Sequence, residues 1–419
     1  MTKIKIKHFG PIKDGYQEND GWLEIKKVTV FIGNQGSGKS VVAKLATTFL
    51  WIEKALTRGD YEQRDFIKVF SRKDQTKNQF LRYFRLENYF PEESREQTLI
   101  DYHGESYHIR FVHGGLEIED ANNGDYPLPQ IMYVPAERNF IANVKTPRAL
   151  KMTSDSLIEF VTEFDNAKED MKGPMLLPIN KEVYVEYNKL NDVVYVKGSD
   201  YRIKLTEASS GFQSLVPLYL VTCFLANSVK RESENSRELM TSEQRERFRK
   251  RFISINENMD LTEEQKRIAI SEIAKEFNKT AFINIVEEPE QNLFPSSQRG
   301  VLNSLLEHNN MNAGNKLIMT THSPYLISYL TLSVRAFGLK NKLASPDLRE
   351  KLQNIVPVNS TIDARELVIY ELNEQDGSII KLGDYKGLPS DNNYLNRGMA
   401  EGNELFAQLL EIDDQCQTS

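Results

Sequence analysis

Near the N-terminus, Gly33-Asn34-Gln35-Gly36-Ser37-Gly38-Lys39-Ser40 has the residue types and the G-x-x-x-x-G-K-S spacing of a loop that cradles phosphate oxygens. Glycines let successive backbone N–H groups turn inward around an anion. Lys39 can then reach the β- and γ-phosphates of a nucleoside triphosphate, and the Ser40 hydroxyl can ligate Mg²⁺. The loop follows the apolar run Val28-Thr29-Val30-Phe31-Ile32 and precedes a helix start at Val41-Val42-Ala43. That helix N-terminus adds partial positive charge to the site. A chance glycine-rich turn would not meet both the spacing and the flanks. Gly33 to Val41 are therefore the candidate nucleotide-binding residues.

A second chemical pattern lies far downstream. Phe282-Ile283-Asn284-Ile285-Val286 is an apolar strand that delivers Glu287 and Glu288 at its C-terminal end. Ligand chemistry in parallel α/β sheets sits at that end. One carboxylate can hold a Mg²⁺ water shell, and its neighbour can orient or deprotonate an attacking water. Lys316-Leu317-Ile318-Met319-Thr320-Thr321 is another core strand, and it ends at His322-Ser323-Pro324. His322 there can hydrogen-bond a γ-phosphate; as a lone histidine it would be structural. Between these strands and the first loop, Ser209-Ser210-Gly211-Phe212-Gln213 opens the apolar run Leu215–Ala226. Small hydroxyl residues at a helix start form either an N-cap or a second anion-binding site.

The remaining segments position this chemistry. Lys3–Lys7 alternates with period two and reads as a half-exposed strand, with Phe9 either core or an adenine contact. Val41–Leu56 has helical spacing, and Arg58-Gly59-Asp60 stops it. Leu99–Tyr102 and Tyr107–Val112 flank a hairpin turn, with a third strand after Gly114-Gly115. His103, His108 and His113 are spaced by five without a recurring acidic partner, so they read as surface β residues rather than metal ligands. Ile131–Val134 is a buried strand that leads into Glu137-Arg138, a pair aimed at the nucleotide or a partner, or else a helix-start charge pair. Val183–Tyr187 and Val193–Lys197 suggest another hairpin. Residues 227–279 read as a charged helical pair with a dense basic run at Arg245–Arg251 and a cap at Thr262. Leu367–Leu372 and Ser378–Leu382 form a last hairpin around Asp376-Gly377, and Glu401–Ile412 a final helix.

Composition bounds the partners. The chain has 419 residues, 40% hydrophobic and 27% charged, with a net charge of −7. That balance argues against coating nucleic acid by bulk charge but leaves a local basic groove open. Two distant cysteines exclude a disulfide framework and a four-thiolate zinc site. The longest apolar run, Leu215–Ala226, is shorter than a bilayer span and contains Pro217, and the N-terminus is not a signal peptide. A cytoplasmic protein without a membrane partner is expected.

In order, the phosphate loop, Ser210-Gly211-Phe212-Gln213, Glu287-Glu288-Pro289-Glu290 and Thr321-His322-Ser323 resemble the ABC-type ATPase heads, most closely the SMC, RecF and OLD group. The resemblance runs from residue 1 to about 385 and implies an α/β P-loop NTPase head with an antiparallel β subdomain and helical insertions. The implied core is 1–60, 200–226 and 280–385. A β-hairpin and helical insertion covers 61–199, a charged helical insertion 227–279, and a C-terminal helix and tail 386–419. ATP and Mg²⁺ are implied, with the nucleotide sandwiched between two copies. Lys39 and the rest of the loop carry the Walker A role, and Ser210, Gly211 and Gln213 match the signature that meets the partner copy's γ-phosphate. Ser40 and Glu287 match the metal-holding pair, Glu288 the catalytic glutamate, Asn292-Leu293 the D-loop and His322 the switch histidine.

Three departures bear on rate. Glu287 stands where the family uses Asp, Phe212 replaces a signature glycine, and Gln79 and Gln130 are only guesses for the Q-loop glutamine. Slow or partner-gated hydrolysis is therefore expected. The chain lacks a heptad arm and, after His322, the clustered carboxylates of a TOPRIM nuclease. A head of this kind is similar to the ATPase subunits of two-gene anti-phage systems such as Septu or PARIS. The expected function is thus an ATP-dimerised homodimer, or higher oligomer, that senses a cue and controls a separate nuclease effector. The alternatives are a stand-alone RecF-like or SMC-like DNA-repair ATPase, which would bind DNA, and a nucleotide-gated scaffold.

Overall fold

In β1 (Lys3–Lys7) Ile4 and Ile6 are buried and the lysines half-exposed, the period-two pattern of a strand with one wet face. The computed structural model describes residues 2–90, 95–121, 126, 128–143, 154–234, 255, 279–343 and 345–417. The basic run Arg245–Arg251 and the expected cap Thr262 lie outside them. After β1 come β2 (Gly15–Tyr16), β3 (Leu23–Glu24) and β4 (Val28–Gly33), the last buried along its whole length. Helix α1 (Lys39–Thr57) begins two residues before the expected Val41, because left-handed Gly38 (φ +97°) turns the loop straight into it. Its stop is as expected, with Gly59 left-handed (φ +68°).

Two short helices, α2 (Gln63–Phe70) and α3 (Gln79–Arg82), lead to β5 (Leu99–His103), β6 (Tyr107–Val112) and β7 (Gly115–Asp120). These pair with the N-terminal strands in an antiparallel sheet of order β3-β1-β5-β6-β7. Tyr102, Ile109 and Phe111 of that sheet pack in one cluster with Phe49 of α1. Phe9 is fully buried with its ring edge-on to Phe90 at 4.7 Å, so it is core and not an adenine contact. His103 and His108 stack on one another, 3.9 Å between ring centroids, and among the described residues no three metal-ligating side chains gather.

β8 (Pro129–Val134) lies within the stretch expected to be an insertion, yet it is an edge strand of the central sheet. Helices α4 (Phe140–Asn143) and α5 (Asp155–Asp170) follow. Then β9 (Met175–Leu176), β10 (Tyr184–Asn188), β11 (Val193–Lys197) and β12 (Arg202–Lys204) make a second antiparallel sheet that contains the expected hairpin. The last third carries α6 (Ser210–Glu234), β13 (Ala281–Glu287), α7 (Pro295–Asn309), β14 (Lys316–Thr321) and α8 (Pro324–Lys340). It ends with α9 (Pro346–Ile355), β15 (Leu367–Leu372), β16 (Ser378–Lys381) and α10 (Tyr394–Gln417). The last helix starts well before the expected Glu401, because the Glu371 carboxylate accepts the Tyr394 N–H and pairs with Arg397.

The central sheet has the order β2-β16-β15-β4-β14-β13-β8, and from β15 to β8 all its strands are parallel. The fold is therefore the mixed α/β P-loop type. Alternate residues of these strands bury opposite faces. Phe31, Ile283, Ile285 and Ile318 pack toward α1 and the antiparallel sheet, whereas Val30, Ile32, Phe282 and Met319 pack toward α6, α7 and α8. Among the described residues α6 is the one helix long and apolar enough to cross a membrane, but 67% of its apolar window is buried inside this layer.

Candidate functional site

Parallel pairing sets the chemistry. Thr321 of β14 sits beside Ile32 of β4, and Glu287 of β13 beside Thr320 of β14, so three strand ends open onto one edge. The loop after β4 needs its glycines. A Cβ on Gly33 (φ +144°) would clash with the Leu372 carbonyl oxygen and lie 2.9 Å from Ser37 Oγ; one on Gly38 would lie 2.7 Å from Ile12. Gly36 (φ +82°) has nothing within 4 Å, so its face of the loop is open. Asn34, Gln35 and Gly36 are exposed, Ser37, Gly38 and Lys39 buried, and Ser40 half-buried.

The Lys39 ammonium donates to the carbonyls of Gly33 (3.0 Å) and Asn34 (2.7 Å). Burial pulls it down to about 8, against the pull of Glu288, Glu290 and Glu374. Ser37 Oγ is buried without a hydrogen-bond partner. An orphaned hydroxyl and a lysine held only by loop carbonyls fit an anion, which would satisfy both.

Across the edge, Glu287 is 4% exposed. Its Oε2 accepts the Ala136 N–H at 3.1 Å, and its Oε1 lies 3.9 Å from Lys44 Nζ. One hydroxyl and one carboxylate, Ser40 and Glu287, suit Mg²⁺, which keeps water and phosphate in most of its shell. Glu288 takes left-handed backbone (φ +44°), a strained conformation for a glutamate, and its N–H donates to the Thr320 carbonyl. Burial, and then the neighbouring Glu287, pushes its carboxyl above the ordinary range. His322 Nε2 lies 3.7 Å from Glu288 Oε1, and burial followed by Lys39 lowers its basicity. The structure thus brings Lys39, Glu287, Glu288 and His322 together.

Ser210, Gly211 and Gln213 open α6 beside the loop after β13. A Cβ on Gly211 would lie 2.8 Å from the Asn292 carbonyl oxygen, and Gln213 donates to the Thr206 and Ala208 carbonyls. Ser209 and Ser210 are exposed.

A family described as "AAA domain, putative AbiEii toxin, Type IV TA system" matches residues 28–328. The chain belongs to this family. Among solved structures, this AAA domain is similar to an SMC head bound to the C-winged helix domain of ScpA, at 10% identity, TM-score 0.37, and 92% of this chain against 98% of that one. It is also similar to the SMC head domain from Thermotoga maritima, at 11% identity, TM-score 0.36, and 91% against 98%. An SMC head with an extended coiled coil, bound to the C-terminal domain of ScpA derived from Pyrococcus furiosus, matches at 10% identity and TM-score 0.33, with 97% of this chain against 100% of that one. No curated protein matches the chain.

Glu137 and Arg138 in the AAA domain lie at a helix start, as one of the two expectations had it, in the turn Ala136–Asn139, and Arg138 is wholly buried. Its guanidinium donates to the carbonyls of Ser214 (3.1 Å), Glu287 (2.7 Å) and Glu288 (2.6 Å). It ties the first turn of α6 to the acidic turn after β13. Glu290 was also not singled out: its Oε1 accepts from Thr321 Oγ1 (2.8 Å) and the His322 N–H (2.7 Å), while its Oε2 is buried and unpartnered. Glu374 accepts from Asn34 at 3.0 Å and so reaches the loop from the end of β15. The two Q-loop guesses, Gln79 and Gln130, both line a cavity on α1 instead. Gln130 sits near the start of β8, whereas ligand-facing groups sit at the strand's C-terminal end.

Gly33→Ala is expected to weaken ATP binding by about tenfold or more, because a side chain there collides with backbone as well as straining φ. Gly36→Ala meets no neighbour, so it is expected to cost only about the strain of one left-handed residue, ~1 kcal/mol. Calorimetric ATP titration of both variants checks the contrast.

Proposed function

We propose that this chain hydrolyses ATP as an ABC-type head that dimerises around the nucleotide, and that the dimer is the sensor or regulatory subunit of an anti-phage defence complex that controls a separate nuclease effector. The observation that carries the enzymatic part is the convergence of Glu288 and His322 on the Lys39 side of the phosphate loop. In this reading the loop N–H groups and Lys39 bind the β- and γ-phosphates. Glu288 orients a water and takes its proton, and its raised affinity for protons suits a general base. His322, kept neutral by burial, holds the Glu288 side of the γ-phosphate. Mg²⁺ held by Ser40 and Glu287 supplies neutralisation of charge on the phosphates. Arg138 positions the acidic turn and, through Ser214, the α6 start that would face a second copy.

The dimer is supported by Ser209 and Ser210, polar and exposed at a helix N-terminus. The "toxin" and "TA system" of the family's description support a role within a system that has a second component. Co-purification with the product of an adjacent gene, with and without ATP, tests it. ATP-dependent capture of a nuclease supports the defence reading, and DNA binding without any protein partner opposes it.

A pH profile tests the base. With Glu288 raised above 4.5 in the protein, kcat/KM is expected to rise with pH along an acid limb centred above that value. Since the neutral form of His322 is favoured, no second loss is expected near 6.5. A limb at or below 4.5 in kcat/KM would exclude Glu288 as the base.

A further inference from the structure

A cavity of about 850 Å³ runs along α1 on a side that the phosphate loop does not border. That volume lies within the range of roughly 300–1,000 Å³ typical of small-molecule sites. Thr47, Trp51, Lys54 and Arg58 line it from one face of the helix. Lys54 is fifteen residues beyond Lys39, or about 22 Å along the axis at 1.5 Å per residue, too far to share one triphosphate.

Its walls differ in chemistry. Trp51, Tyr61 and Phe80 form an aromatic side, with the Trp51 ring 5.9 Å from Tyr61 and 5.7 Å from Phe80. Trp51 keeps 38% of its surface exposed and Ile158 39%, and both line the cavity, so apolar surface there lacks a protein partner. Lys54, Arg58 and Lys279 supply positive charge. Arg58 pairs with Asp60 at 3.4 Å, whereas among the described residues no carboxylate lies within ion-pair distance of Lys54. Burial, with Lys279 and Arg58 close by, pulls the Lys54 ammonium down to about 7. Glu159 lines the same wall and accepts the Tyr83 O–H. The decisive group is Gln130. It is 8% exposed and lines the cavity beside Ile131 and Tyr133. A side-chain amide in a cavity wall carries donors and an acceptor that a ligand edge can satisfy.

We propose that this cavity is a second, nucleotide-binding site, with a base stacked on the exposed Trp51 and read by Gln130, and a phosphate held by Lys54 and Lys279. The nucleotide is either free or the terminal residue of a strand. Tyr133 joins the cavity to the chemical edge: Lys44 Nζ lies 5.9 Å over its ring and 3.9 Å from Glu287. The site is independent of the ATPase reading.

Calorimetric titration with AMP, GMP, CMP and UMP, and with 5′-phosphorylated trinucleotides, tests it in wild type and four variants. Binding of at least one probe is expected, unchanged in Lys39→Ala and weakened about tenfold or more in Trp51→Ala and Lys54→Met. Lys279→Glu, which leaves the aromatic wall in place, is expected to weaken it too. Retained ATP binding by the three cavity variants shows that they are folded. Mononucleotide binding identifies a free nucleotide as the source, and binding of trinucleotides alone identifies a strand end. Absence of binding by every probe overturns the proposal. So does binding that Lys39→Ala removes and the cavity variants leave unchanged.

Discussion

Glu288→Gln is expected to lower ATP turnover by about 10²–10⁴-fold while leaving ATP affinity within a factor of about three. The amide keeps the shape of the side chain but cannot take a proton from water. The turn that carries it need not move, because Glu288 is held there by its own backbone: the N–H donates to Thr320 and the carbonyl accepts from Arg138. Removing the charge also relieves repulsion with Glu287, so binding is not expected to suffer. Single-turnover kinetics and calorimetry separate the two effects. A loss of less than about tenfold would mean that Glu288 is not the base, and little turnover in either protein would favour the nucleotide-gated scaffold.

Arg138→Met is expected to cost about 3–5 kcal/mol of stability and most of the activity. The arginine is fully buried, and its hydrogen bonds run to main-chain carbonyls of α6 and of the turn that holds both glutamates. Removing it strands those carbonyls in a dry interior, where each orphan costs about 1–3 kcal/mol. It also takes a buried cation away from Glu287, Glu288 and Glu290. Arg138→Lys should not restore function, because an ammonium lacks the planar fork that reaches three carbonyls on two segments. Chemical denaturation and ATP turnover read the two losses. Wild-type stability in Arg138→Met would refute the clamp.

Arg138 also shows where sequence reading stops. The chemistry-bearing ends of β4, β13 and β14 were legible because an apolar run that breaks into Gly, Glu-Glu or Thr-His marks both a buried strand and its exit. An arginine just past a strand has the same local pattern whether it faces solvent, ligand or core, so its burial depends on segments that meet it only in three dimensions. For the same reason β8 was read as a buried strand but not as part of the central sheet: its partner, β13, lies about 150 residues away, and nothing local encodes that pairing. The pairing of β1 with β5 was hidden likewise. α10 was underestimated because Gly398 and Gly402 interrupt helical propensity, while its start is fixed by the distant Glu371. The left-handed backbone at Glu288 has no sequence signature, since glutamate does not favour it.

The central claim is that the phosphate loop is half a site, completed by Ser210, Gly211 and Gln213 of a second copy. The most direct test is the molar mass of the Glu288→Gln protein by light scattering, with and without Mg²⁺-ATP, beside the same protein that also carries Ser210→Arg. A doubling from 48.3 kDa on ATP addition is predicted for the first protein and none for the second, with ATP still bound by both. A mass that ATP leaves unchanged, or a doubling that Ser210→Arg does not prevent, would contradict it.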